Sequence, residues 1–160
     1  MEKSKSKDSK SFAAALRVLS RRDRSETELR QKLEQFGFSL SAIDTAIAKC
    51  REYNYLNDER YALERARSFM RSGRGVGVKI MFDLRRRGID ELTAQHAVEA
   101  AAAEFSPTQI LHEQLNRRFP TFNYDTANAQ ERRRVVSFFQ RRGFGLEAIF
   151  QVVKQNQLDH

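Results

Sequence analysis

Arginine carries most of the chemistry available to this chain. Between residues 65 and 88 stand eight cations, Arg65, Arg67, Arg71, Arg74, Lys79, Arg85, Arg86 and Arg87, against one acid, Asp83. A second run, Arg132, Arg133 and Arg134, is followed by Arg141 and Arg142. Guanidinium groups stay charged at neutral pH and present forked donors that match phosphate and carboxylate oxygens. Such clusters suit an anionic surface rather than bond making. Part of the pattern has an ordinary motive, because cations just before Gly88 and Gly143 sit where a helix C-terminus favours them. Three consecutive arginines exceed that need, as do Arg71 and Arg74 at the facing turn. The candidate contacts are therefore Arg67, Arg71, Arg74, Lys79, Arg85, Arg86, Arg87, Arg132, Arg133, Arg134, Arg141 and Arg142. They would meet DNA phosphates or an acidic protein surface, and solvated helix faces are the alternative.

Other chemistry is hard to assemble. Gly73-Arg74-Gly75-Val76-Gly77-Val78-Lys79 superficially resembles a phosphate loop, but no Gly-Lys-Ser/Thr follows it and no strand precedes it. It reads as a flexible turn between helices, whose amides beside Arg74 and Lys79 could still hold one backbone phosphate. His96, His112 and His160 have no Cys or His at ligand spacing, so no metal site is expected. Asp58-Glu59 beside Arg60 reads as a helix start. No nucleophile–base pair presents itself, and the chain is expected to be neither an enzyme nor a cofactor binder. The phenylalanines mostly follow core spacing, so base stacking is weak and backbone contact is the expected mode of any DNA binding.

The elements that must position these cations are helices. The 160 residues include 12 Phe, no Trp and two Pro, with a net charge of +8. That balance favours an anionic partner, nucleic acid ahead of membrane. The charge is segregated, since residues 89–131 hold seven acids against Arg117 and Arg118 and so separate two basic stretches. Cys50, the single cysteine, falls on an apolar helix face and fits core packing in a reducing cytoplasm. Phe12–Leu19 is too short and too interrupted for a signal or membrane segment.

Start and stop signals predict nine helices. Residues 1–10, MEKSKSKDSK, read as a disordered polar tail, and Ser11 as the cap of a helix over 12–22 with Leu16 and Leu19 inward. The capping box Ser25-Glu26-Thr27-Glu28 starts a second, with Leu29, Leu33 and Phe36 on one face and Gly37 as its stop. Ser39 or Ser41 opens a third, whose apolar face runs through Ile43, Ile47, Cys50 and Tyr53. Asn57 or Asp58 caps a fourth, ending near Arg71, and Val78 to Arg87 forms a fifth before Gly88. Asp90 caps a sixth, Ser106-Pro107 a seventh. The eighth covers about 126–142, and the ninth 146–155.

A repeat organises them. With Gly37, Gly88 and Gly143 in register, Leu29, Ile80 and Val135 stand eight residues before, and Leu33, Leu84 and Phe139 four before. Phe38, Ile89 and Phe144 follow by one residue. The expected fold is all-α: three tandem three-helix repeats over 11–56, 57–104 and 105–160, stacked into an elongated curved array.

Three stretches carry a resemblance. They are LRVLSRRDRSETELRQKL in the first repeat, YLNDERYALERARSFMRSGRG with KIMFDLRRRGI in the second, and RRRVVSFFQRRGF in the third. Together, over about 12–155, the chain resembles the RecX family of bacterial RecA regulators. It departs at Asn57, where many relatives have Asp, and at Val76-Gly77-Val78, where they have Pro, which suggests a looser turn. The resemblance implies a cytoplasmic, monomeric, non-catalytic inhibitor that lies along a RecA–single-stranded DNA filament. It would dampen ATP hydrolysis and strand exchange in DNA repair and the SOS response, touching single-stranded and also double-stranded DNA through phosphates. A free-standing DNA-binding helical module and a protein-only adaptor are the alternatives.

Overall fold

The structure, a computed structural model, describes residues 2–156. Among these are nine α-helices and no strand: α1 (Glu2–Arg21), α2 (Glu26–Gln35), α3 (Leu40–Glu52), α4 (Asp58–Arg71), α5 (Val78–Arg86), α6 (Glu91–Glu104), α7 (Pro107–Arg118), α8 (Ala129–Arg141) and α9 (Leu146–Gln155). No helix of the described residues is long and apolar enough to cross a membrane.

The repeat is visible as a threefold recurrence of one turn. Gly37, Gly88 and Gly143 adopt φ of 85°, 80° and 94°, the left-handed region that a side chain penalises. Each next residue returns its N–H to the carbonyl five residues back: Phe38 to Leu33 at 3.2 Å, Ile89 to Leu84 at 3.1 Å and Phe144 to Phe139 at 3.2 Å. That is the Schellman closure, which satisfies carbonyls the helix end leaves open. The in-register Leu29, Ile80, Leu33, Leu84 and Phe139 have no exposed surface, and Val135 almost none.

The chain divides into two compact units, and the boundary passes through α4, α5 and α6. Unit 1 runs to Ala62 and adds 84–94; unit 2 holds 63–83 and the chain from Gln95 on. In unit 1, α1 packs chiefly on α3. Ala14, Ala15 and Val18 meet Leu29, Leu33, Ile43, Ile47 and Cys50, so small side chains of α1 let the helices approach closely. Cys50 is buried, and burial raises its thiol pKa, which keeps it an inert packing group. Unit 2 closes around Leu111, Leu115, Val135, Phe139, Ile149 and Val152. Phe138, Phe139 and Phe144 form edge-to-face steps of 5.1 and 5.7 Å.

Several expectations are corrected. The predicted tail is helical, because α1 begins at Glu2. Ser11 is no cap: its buried hydroxyl lies 2.9 Å from Asp8 O and 3.0 Å from Ala42 O and serves them as donor. Lysine is a good helix former, and a turn that is already packed propagates backward at little cost. Leu16 is only partly buried, the inward face of α1 being Ala14, Ala15 and Val18. Phe36 and Tyr53 are exposed, 53% and 58%, because each is a C-cap and lies past the regular turns that set the apolar stripe. Ser25 does cap α2, accepting from Glu28 N at 3.2 Å, but the Glu28 carboxylate accepts from Tyr61 Oη and Arg22 instead of closing the box. The full capping box belongs to Asn128 and Glu131, which start α8 one turn fragment later than predicted. Asn57 caps α4 through Arg60 N at 2.9 Å, while Asp58 accepts from Glu26 N at 2.8 Å.

Candidate functional site

The glycine turn between α4 and α5 is packed rather than flexible. Gly73, Gly75 and Val76 are buried. Gly73 has φ of 67° and lies so close to the buried Gln114 side chain that a Cβ would overlap it. Most of its amides are engaged: Gly73 N with Met70 O, Arg74 N with Phe69 O, and Val76 N with Arg142 O at 2.8 Å. A phosphate cradle made of these N–H groups is therefore ruled out at those positions.

What the turn does is bring two distant arginine clusters together. Within unit 2, Arg65, Phe69, Arg74, Lys79, Asp83, Phe138, Arg141 and Arg142 line one open groove of about 590 Å³. Its floor is aromatic. Phe69, 6% exposed, carries the Arg65 guanidinium at 5.4 Å and that of Arg74 at 4.4 Å, and Phe138 carries Arg142 at 4.3 Å. Stacking on a ring leaves the edge of a guanidinium, with its N–H donors, free to point outward. Arg74 is steadied by Ser72 Oγ at 3.0 Å and Ser68 Oγ at 3.2 Å. Arg142 donates to Gly73 O at 2.8 Å. Arg65 holds Asp83 in a two-pronged pair at 2.5 and 3.1 Å, so one of the five cations is balanced inside the groove.

The remainder is an excess of positive charge. Lys79 and Arg141 are exposed and have no carboxylate within 4.0 Å among the described residues. Burial, followed by the charges of Arg118 and Arg141, lowers the Arg142 pKa below its ordinary value. An anion bound beside Arg142 would offset that repulsion. The groove offers charge and planar donors, so it can hold a phosphate or carboxylate.

The other predicted residues lie elsewhere. Arg67 bonds Glu104, through Nε at 2.9 Å and Nη2 at 2.5 Å, and Glu64 at 2.5 Å, so its charge is balanced on an acidic pair that raises its pKa. Arg71 lies 5.9 Å from the Phe105 ring. Arg85 and Arg86 are exposed at the end of α5, in unit 1. Arg87 is half-buried there, 3.3 Å from Glu28 Oε1 and 3.4 Å from Tyr61 Oη. Arg132 donates to Tyr124 O and Asp125 O, and Arg133 to Ala129 O. Arg134 shares a separate cleft with Arg118. Phe69 and Phe138 as arginine platforms escaped the sequence reading, though Arg65/Phe69 and Phe138/Arg142 are i, i+4 pairs, the spacing at which helical side chains meet. Among the described residues no group of three His, Cys, Asp or Glu could hold a metal ion.

Comparison with known proteins points one way. The family models for the first and the third three-helix domain of RecX match residues 12–50 and 108–153. The regulatory protein RecX of Syntrophotalea carbinolica is 43% identical over 146 residues, covering 91% of this chain and 95% of its own. That of Trichlorobacter lovleyi is 29% identical over 90% of this chain and 94% of its own. The crystal structure of RecX from Lactobacillus salivarius superimposes with a TM-score of 0.77 at 24% identity, over 96% of this chain and 98% of that one. The chain belongs to the RecX family.

Proposed function

We propose that the protein is a non-catalytic modulator of the RecA recombinase. It binds RecA–single-stranded DNA filaments and dampens ATP hydrolysis and strand exchange, acting as a cytoplasmic monomer built of three-helix repeats over 11–56, 57–104 and 105–160. The observation that carries this reading is the groove of unit 2. There Arg74, Lys79, Arg141 and Arg142, from two stretches some 65 residues apart in sequence, converge with one carboxylate, Asp83, among them. Family membership supplies the regulatory role, and the groove supplies a surface for the DNA backbone or for acidic side chains of the recombinase. Its stacked arginines hold their donors in place before a partner arrives, which reduces the ordering cost of binding. Phosphate contact of this kind carries no sequence preference.

The DNA-dependent ATPase rate of the cognate recombinase tests it. Protein added substoichiometrically to preformed filaments is expected to lower the rate progressively, well below one copy per recombinase. An unchanged rate at saturating protein would overturn the reading.

A further inference from the structure

Unit 1 presents an aromatic surface that the groove does not use. Tyr53 and Tyr55 are 58% and 49% exposed, and their ring centroids lie 5.8 Å apart at a 33° tilt. Phe12 of α1 continues the row, 6.3 Å from Tyr53, with the Lys49 ammonium 5.3 Å from its centroid. Phe12 is partly buried against the core of unit 1, whereas the Tyr53 and Tyr55 rings stand in solvent beside it.

The turn that displays them is tied down. Asn54 between the tyrosines has φ of 57°, the one described non-glycine residue with positive φ. Asparagine tolerates that conformation better than most residues, and the structure holds it from several sides. Arg60 donates to Asn54 O at 2.9 Å and Tyr55 O at 3.4 Å, and Asn57 Nδ2 donates to Asn54 Oδ1 at 3.1 Å. Tyr55 N and the buried Leu56 both bond Cys50 O.

The charge beside the row is mostly positive. Lys5 precedes Phe12 by seven residues on one face of α1, and Lys3, Lys7 and Lys10 extend the cationic run, against Glu2 and Asp8. Lys5 and Lys49 have no carboxylate within 4.0 Å among the described residues; Glu52 adjoins Tyr53 in sequence. Exposed rings flanked by lysines match a ligand with flat faces and an anionic backbone.

We propose that Phe12, Tyr53 and Tyr55 form a base-stacking platform for single-stranded nucleic acid, with Lys5 and Lys49 meeting its phosphates. The platform rests on the reading that this chain contacts single-stranded DNA, but adds a demand that phosphate contact alone does not make, namely bases. Duplex DNA hides its base faces, so the site selects unpaired strands.

The test uses the full chain and no recombinase. Fluorescence anisotropy would compare a labelled 15-nucleotide oligo-dT with a 15-unit abasic phosphodiester strand of equal charge. The wild type is expected to bind oligo-dT about tenfold more tightly, the scale of one good stack. The Tyr53→Ala/Tyr55→Ala variant should lose that preference while keeping its affinity for the abasic strand and its melting temperature. Tyr53→Phe should retain it. Equal binding of both strands by the wild type, or a preference that survives the double alanine variant, overturns the platform and leaves the groove reading standing. No binding of either strand at low salt overturns the platform together with the DNA contact.

Discussion

Two junctions, one inside each unit, use the same register and different chemistry. In unit 1, Ser25, twelve residues before Gly37, donates its hydroxyl to Arg87 O at 2.6 Å. In unit 2, Val76, twelve residues before Gly88, donates its backbone N–H to Arg142 O at 2.8 Å. Arg87 and Arg142 each precede a repeat glycine by one residue. The arginine head groups then diverge. Arg87 reaches Glu28 and Tyr61, whereas Arg142 reaches Gly73 O and the Phe138 ring and faces the groove with no carboxylate partner among the described residues. One position thus serves a balanced structural cluster in one unit and a cationic surface in the other. Equivalence in sequence does not transfer function. The partner within reach decides it.

The three repeat glycines should differ in the same way, with the largest effect at Gly143. A Cβ there would overlap Val76 O, a backbone atom that cannot swing aside, in addition to the left-handed strain. Gly143→Ala should cost roughly 3–5 kcal/mol in thermal or denaturant unfolding. Gly88→Ala meets the Thr27 side chain instead and should cost roughly 2–4 kcal/mol. At Gly37 a Cβ would meet nothing within 4 Å among the described residues. Gly37→Ala should therefore cost only its backbone strain, about 1–2 kcal/mol. Equal losses at all three would show that the junctions contribute no close packing.

Acid should separate the junctions next. Burial raises the Glu28 pKa, but the Tyr61 hydroxyl, Arg22 and Arg87 outweigh it, so the folded carboxyl titrates below its ordinary value. The unfolded chain then takes up the proton first, so this stabilisation is present above the ordinary glutamate pKa and fades as pH falls through the folded one. The neighbouring Asp58 shifts the other way, raised mainly by burial, so the bare pH profile of unit 1 is a sum of opposing effects. The difference between wild type and Glu28→Gln isolates Glu28. The melting-temperature gap between them should be widest near neutral pH and narrow below about pH 4, the usual carboxylate range. A gap that stays constant with pH would contradict the ionic role of Glu28.

A smaller and more specific effect concerns salt. If Lys79 and Arg141 each neutralise one phosphate of a single strand, Lys79→Gln/Arg141→Gln should flatten the slope of log affinity against log salt by about 1.4. Arg67→Gln, whose charge is already balanced by Glu64 and Glu104, should leave that slope almost unchanged.

The helices were legible because their punctuation is local. Ser39, Ser106-Pro107, Gly37, Gly88 and Gly143 act through bonds to residues within one turn, and three copies in register reinforced the reading. Errors arose where a pattern ran past a cap, as at Phe36 and Tyr53, or where tertiary contact changed a residue's job, as at Ser11 and Glu28. The groove was half legible. Its cations stood out by type, but their meeting depends on the Val76–Arg142 junction, a long-range contact with no signature in spacing. Composition likewise could not separate Arg142, which faces the groove, from Arg67, which is bound to two carboxylates.

The most direct measurement is the ATPase rate of preformed RecA–single-stranded DNA filaments titrated with wild type and with Lys79→Glu/Arg141→Glu. Both substituted side chains are exposed, so the variant should keep its helical content and melting temperature. The wild type should inhibit substoichiometrically, and the variant should need at least about tenfold more protein, the scale of two lost charge contacts. A variant that folds and inhibits as well as the wild type would contradict the claim that this groove is where the filament is held.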